Sequence, residues 1–340
     1  MKGSPRKYLS EHAVSLCSAR WMMTSAGQLM SNNQMSEEQK VISDRCHIYM
    51  VTTLPRLGFC PDTTRYENGN LSGHVQYRVQ GELREFSFDF AFPLLDGAIN
   101  ARVTEYPHRS IVTLGDSGEQ VRELPASAVA LAPRFRIQRP ELYDLEVLYV
   151  GQAFGDGDRS AFVRLRSHST LQKILADIQS DHPDDEVYVL MFEYSPYRTL
   201  HAMNGTVKAQ KSGKEDSERF YSIVENPLSE HQQICLAEAG LIRYFGPKYN
   251  KVYKDSFPSR SHKVLEGCYS LDFSGLVVEI NTEKLQLSLC SGYVSPAQHH
   301  LCQVDLIADE DRQGFFCLPD GERVGHEIPD VIKGKRGVKI

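Results

Sequence analysis

Short runs in which hydrophobic and polar residues alternate dominate the first part of the chain. Val75-Gln76-Tyr77-Arg78-Val79, Arg84-Glu85-Phe86-Ser87-Phe88-Asp89-Phe90 and Ser110 to Leu114 are separated by turn formers at Asn68-Gly69-Asn70, Asp96-Gly97 and Gly115-Asp116. A period of two bounded by such turns predicts antiparallel strands with one solvated face, so residues 45–133 read as a β-rich domain. Residues 258–340 have the same texture. There Leu276 to Ile280 and Leu285 to Leu289 read as two strands joined by a polar turn at Asn281 to Lys284. Between these regions, in residues 134–257, Leu145 to Val150 and Val187 to Phe192 are nearly continuous apolar runs. Such runs predict strands buried on both faces, and the segments after each predict helices. The expected fold class is therefore α+β, a small central α/β domain flanked by β-rich N- and C-terminal regions. Residues 1–44 lack sustained periodicity and read as a flexible or weakly packed arm.

Two of the predicted helices carry polar groups on or beside their apolar faces. Over Phe162 to Ile178, the residues Leu171, Ile174, Leu175 and Ile178 form one stripe, with Arg164 and His168 one turn apart on its edge. A snorkelling arginine and a hydrogen-bonded core histidine would look the same. Over Glu230 to Phe245, the residues Ile234, Leu241, Ile242 and Phe245 share a face and Glu238 projects into its middle. Burying a carboxylate without compensation costs several kcal/mol. Glu238 must therefore neutralise, meet a cationic side chain or bind a metal at a cleft. Gly246-Pro247 then stops the helix, and Asn250 sits on the departing loop, from which it can fold back towards Glu238.

Composition narrows the function. With 340 residues the chain is long enough for two or three domains, and its 41% hydrophobic content excludes general disorder. Its apolar runs are strand-sized, so no membrane-spanning helix is expected. The 38 basic and 44 acidic residues give a net charge of −6, which excludes a surface coated in Lys and Arg. A nucleic-acid partner would have to be held in a local groove. A basic insertion with Lys208, Lys211 and Lys214 reads as a solvated loop or as a lid over a polyanion. None of the eight cysteines forms a C-x-x-C pair, and no secretory signal is evident. Reduced thiols and a cytoplasmic location are expected.

Taken in order, Tyr149-Val150-Gly151 closes a strand, Arg164 and His168 form R-x-x-x-H, and Glu238-Ala239-Gly240-Leu241-Ile242 precedes Pro247-Lys248-Tyr249-Asn250. Together these resemble the GIY-YIG nuclease family. Tyr149-Val150-Gly151 is similar to the family's second signature triplet, and Glu238 to its metal-binding glutamate. The stretch E-x-x-L-I followed by P-x-Y-N resembles the nuclease domain of the bacterial excision-repair incision protein. The resemblance covers the central segment and not the flanking β-rich regions. It places a first triplet, G-I-Y or a variant, on a strand some ten residues before Tyr149, where the chain has Arg134-Phe135-Arg136-Ile137 and no tyrosine.

The resemblance implies phosphodiester hydrolysis with one divalent cation, Mg²⁺ or Mn²⁺. In that scheme Glu238 supplies a hard oxygen ligand and Arg164 meets the scissile phosphate. Tyr149 orients or helps deprotonate the attacking water, His168 assists it, and Asn250 fixes the loop beside the metal. Arg243, Lys248, Lys251 and Lys254, with Lys208 and Lys211 of the basic insertion, would track the nucleic-acid backbone. The expected function is a metal-dependent endonuclease acting on nucleic acid, DNA foremost, in restriction or defence. The incomplete first triplet leaves an alternative, a catalytically impaired nuclease-like module that binds nucleic acid or a protein partner. The β-rich regions are the surfaces for such a partner.

Overall fold

The computed structural model describes residues 6–30, 37–132, 139–153, 165, 168–203, 211, 213–259, 261–307 and 313–317. In chain order the strands are β1 (Ser10–Ser25), β2 (Ile48–Pro55), β3 (Gly58–Phe59), β4 (Arg65–Glu67), β5 (Asn70–Val79), β6 (Glu82–Ala91), β7 (Ala98–Val103), β8 (Ser110–Gly115), β9 (Gln120–Pro125), β10 (Asp144–Gln152), β11 (Asp185–Tyr194), β12 (Arg198–Met203), β13 (Gly275–Asn281), β14 (Ser288–Cys290) and β15 (His299–Asp305). The helices are α1 (Ala26–Met30), α2 (Glu37–Arg45), α3 (Ala126–Ala130), α4 (Ser169–Asp181), α5 (Gly213–Glu225), α6 (Glu230–Phe245) and α7 (Glu266–Ser270). The architecture is mixed α and β. No helix among the described residues is long and apolar enough to cross a membrane.

The two apolar runs, β10 and β11, flank β2, each antiparallel to it, at the centre of a sheet ordered β14-β10-β2-β11-β1-β13-β15. Their side chains alternate between two cores. Ile48, Met50, Val147, Val150, Leu190 and Phe192 pack on one side with α6, whereas Tyr49, Val51, Leu148, Val189 and Met191 pack on the other with Leu171, Ile174 and Ile178 of α4. Burial on both faces is why these strands show no polar alternation. The ends of the sheet approach each other where Leu289 of β14 and Ala297, just ahead of β15, exchange backbone bonds of 2.8 and 3.2 Å. The sheet thus curls around α6. The fit is close at Gly240, where a Cβ would stand 2.8 Å from Val278 Cγ2 of β13.

Two expectations change. The arm expected over residues 1–44 supplies β1, which pairs with β11, β12 and β13 inside the sheet. Its polar residues disguise it: Glu11 and His12 are fully buried, with the Arg219 guanidinium 3.9 Å from Glu11 and bonded to the Ser10 carbonyl. The strands expected at Leu276 to Ile280 and Leu285 to Leu289 do not form a hairpin. β13 runs parallel to β1, whereas the shorter β14 runs parallel to β10 at the other end of the sheet.

The alternating runs fold as read. β5 and β6 form a hairpin, with β3 and β4 on β5 and a separate sheet β7-β8-β9 beside them. Phe59, Leu71, Val75, Tyr77, Phe86 and Phe88 form their own core with α3. This β-rich module is an insertion in the main sheet, because the strand before it, β2, and the strand after it, β10, are paired.

Candidate active site

Helix α6 is delimited by its sequence. Ser229 caps its start, accepting from the Gln232 N–H, while the Gln232 side chain accepts from the Ser229 N–H. Gly246 ends it in the left-handed conformation, at φ 54°, with its N–H donating to the Ile242 carbonyl. Most of its faces are buried, and Glu238 lies half-buried on the stripe that opens to a cleft of about 610 Å³.

The loop after α6 is tied to the end of β10. Asn250, as expected, folds back: its Oδ1 accepts from the Val150 N–H at 2.9 Å and its Nδ2 donates to the Val150 carbonyl at 2.8 Å. The Tyr249 N–H donates to the Leu148 carbonyl at 3.0 Å, and its hydroxyl to Asp177 Oδ2 of α4 at 2.8 Å. These bonds bring Tyr149, Glu238 and Asn250 to the same cleft, with Thr170 and Lys173 of α4 opposite. Asn250 spends its amide on the backbone, so its part is to position the loop.

A second phenol stands beside Tyr149. Tyr49 on β2 pairs across the sheet with Gly151, and its ring lies 6.0 Å from that of Tyr149. The His168 ring is 5.6 Å from Tyr149 and 6.0 Å from Tyr49, completing a cluster of three rings. Gly151 makes room for it, because a Cβ there would lie 2.6 Å from the Tyr49 ring and hydroxyl. Tyr49 is 1% exposed, and Tyr149 reaches the cleft.

The cleft combines one acid with several cations. Among the described residues lining it, Glu238 is the one carboxylate, facing Lys173, Lys248 and Lys251. Burial and then the Glu238 charge raise the pKa of the neighbouring Tyr253 phenol. Burial and the hydrogen bond to Asp177 push the Tyr249 phenol up to about 12. No cluster of three His, Cys, Asp or Glu that could cage a metal occurs among the described residues. A single carboxylate in an open cleft instead suits a Mg²⁺-like ion, which keeps several waters and takes one or two protein carboxylates.

Several residues read from the sequence stand elsewhere. Arg164, Lys208 and the stretch Arg134 to Ile137 lie outside the described residues. The helix drawn from Phe162 does not run through His168, which is the extended N-cap of α4 at φ −78°, ψ 116°. Arg243 is turned inward: its Nη1 donates to the Lys254 carbonyl at 2.8 Å, and burial lowers its pKa. Lys254 Nζ donates to the Pro247 carbonyl at 3.1 Å. Both brace the loop that carries Asn250 and do not line the cleft. Lys211 pairs with Glu215 at 2.9 Å beside the start of β1, also away from the cleft. Lys248 and Lys251 line it. Sequence reasoning missed Tyr49 and Lys173. The one available signal for Tyr49 was an Ile-Tyr pair opening an apolar strand at Ile48.

Comparison with known proteins adds no relative: no family model, no curated protein and no solved structure matches the chain. All eight cysteines are free thiols.

Proposed function

We propose that the protein is a metal-dependent endonuclease that hydrolyses phosphodiester bonds in nucleic acid, DNA foremost, through a GIY-YIG-like site. The observation that carries the reading is the ring contact of Tyr49 and Tyr149, which stand on adjacent strands beside a cleft shared by Glu238 and the Asn250 loop. Under this reading the first triplet is His47-Ile48-Tyr49, separated from the second by the inserted β-rich module.

Glu238 would hold the Mg²⁺ or Mn²⁺ ion. When bound, the ion supplies charge to offset the phosphate and lowers the pKa of a coordinated water. Lys173, Lys248 and Lys251 orient the phosphate and balance its charge. Tyr149, backed by Tyr49, aligns the attacking water and relays its proton, passing its own hydroxyl proton to His168 as it accepts the water's. Water adds to phosphorus, one phosphorus–oxygen bond breaks, and the departing oxygen takes a proton from solvent while His168 returns the water's proton to solvent, so one water is consumed per bond cut. Arg164 is proposed as the transition-state partner of the phosphate.

A second reading, a nuclease-like module that binds without cutting, draws on the burial of Tyr49, whose phenol a substrate would not touch directly. Incubation with supercoiled plasmid and single-stranded oligonucleotides, in Mg²⁺, in Mn²⁺ and in chelator, separates the two. Metal-dependent cleavage lost in Glu238→Gln supports the nuclease. Binding without cleavage by the wild type supports the second reading.

A further inference from the structure

A second pocket, of about 350 Å³, lies where the β-rich module meets the main sheet, and it shares no lining residue with the Glu238 cleft. Arg56 enters it from the end of β2, Arg78 from β5, Arg109 and Tyr106 from the segment ahead of β8, and Asp184 from the turn before β11. Arg109 is ion-paired with Glu186 at 2.7 Å, so Arg56 and Arg78 are the guanidiniums that stand beside Asp184 at the pocket outside that ion pair. Both side chains are exposed, which leaves two guanidinium forks to offer an anion in a chain whose net charge is −6.

The arginines are oriented by the protein itself. Arg56 Nη2 donates to the Asp185 carbonyl at 3.0 Å, Arg78 Nη1 to the Gly81 carbonyl at 2.8 Å, and Arg109 Nη1 to Glu186 Oε2 at 2.7 Å. Asp184 Oδ2 accepts from the Gly81 N–H at 2.8 Å, which engages the one acid of the pocket with backbone. A guanidinium has five N–H donors, so one anchoring bond fixes the fork without exhausting it. At the rim Tyr106 is 88% exposed and offers an open ring face. Fixed arginine forks beside an exposed aromatic ring match a nucleic-acid strand, whose phosphates take charged donors and whose bases stack.

We infer that this pocket is a second nucleic-acid site, in which Arg56 and Arg78 hold backbone phosphate and a base stacks on Tyr106. The inference rests on the nuclease reading and extends it, assigning substrate engagement outside the cutting cleft to the inserted module. Helix α4 links the two places: Thr170 and Lys173 of its first turns line the cleft, and Pro183 and Asp184 just beyond its end line the pocket. Its 13 residues span about 20 Å, or about six nucleotide steps along one strand.

The test is fluorescence anisotropy of the full chain with a labelled 30-nucleotide oligonucleotide, in chelator so that nothing is cut. Both altered arginines and Tyr106 are exposed, so the double variant Arg56→Ala, Arg78→Ala and the single variant Tyr106→Ala should melt as the wild type does. The expected result is a Kd raised about tenfold or more in the double variant, with a shallower salt dependence, and about fivefold in Tyr106→Ala. Wild-type affinity in these variants overturns the inference, as does displacement of the probe by poly-glutamate as readily as by unlabelled DNA. Cleavage assays keep the two readings apart. If the arginine variants bind normally while Glu238→Gln abolishes cutting, only the second site falls. If they bind weakly while the wild type never cuts, only the nuclease falls.

Discussion

The rings of Tyr49 and Tyr149 stand 6.0 Å apart on paired antiparallel strands, although the residues are one hundred positions apart in sequence. If the pair aligns the attacking water, the hydroxyl of Tyr49 matters and its ring only packs. Tyr49→Phe should lower single-turnover cleavage by about a hundredfold, the scale of a lost proton-transfer contact, while the melting temperature stays close to wild type. Gly151→Ala should harm both, since its methyl group would enter the Tyr49 ring.

Replacing Glu238 separates chemistry from folding. Glu238→Gln keeps the shape of a half-buried side chain on α6 and removes its charge. The rate should fall by about a hundredfold or more, corresponding to about 3 kcal/mol of transition-state stabilisation. Thermal melting should be unchanged or slightly higher, because a partly desolvated charge has been removed. Added Mn²⁺ should not restore the rate.

Asn250 should behave in the opposite way. Its amide satisfies both the N–H and the carbonyl of Val150, so Asn250→Ala leaves two buried backbone groups without those partners. Urea denaturation should show a loss of about 2–4 kcal/mol. Asn250→Asp keeps the acceptor and loses the donor, and it should fall between wild type and alanine.

Much of this site is legible in the sequence because its parts are local. The period of 3.6 between Ile234 and Phe245 and the Gly246-Pro247 stop define α6, and the spacing from Glu238 to Asn250 spans one helix end and one short loop. Tyr49 was not legible, because its position depends on a strand pairing that closes over the whole inserted module. Arg243 and Lys254 were misread for a related reason. A cation in the last turn of a helix or just beyond it looks the same in sequence whether it faces solvent or, as here, braces backbone carbonyls of the loop that follows. The strand β1 escaped notice because its buried Glu11 and His12 break the apolar pattern that marks a core strand.

That same strand should make stability depend on pH. Burial, then the nearby Arg219 charge and His201, hold the His12 pKa down to about 4 from an ordinary 6.5. The neighbouring acids Asp216 and Asp272 oppose this only in part. His12 is therefore neutral in the folded protein and gains a proton on unfolding below its ordinary pKa. Stability is full above about pH 6.5 and declines as the pH falls towards 4, by on the order of 2 kcal/mol. Urea titrations at pH 7.5 and 5 should show the decline, and His12→Gln should flatten it.

The chain leaves the main sheet after Pro55 and returns at Asp144, and because Thr53 faces Glu146 the exit and the return are one interstrand spacing apart, about 5 Å. A scaffold with two neighbouring doors of this kind can accept a different module of any length that starts and finishes side by side. The inserted module can therefore be exchanged while the sheet that carries the Glu238 cleft stays as it is.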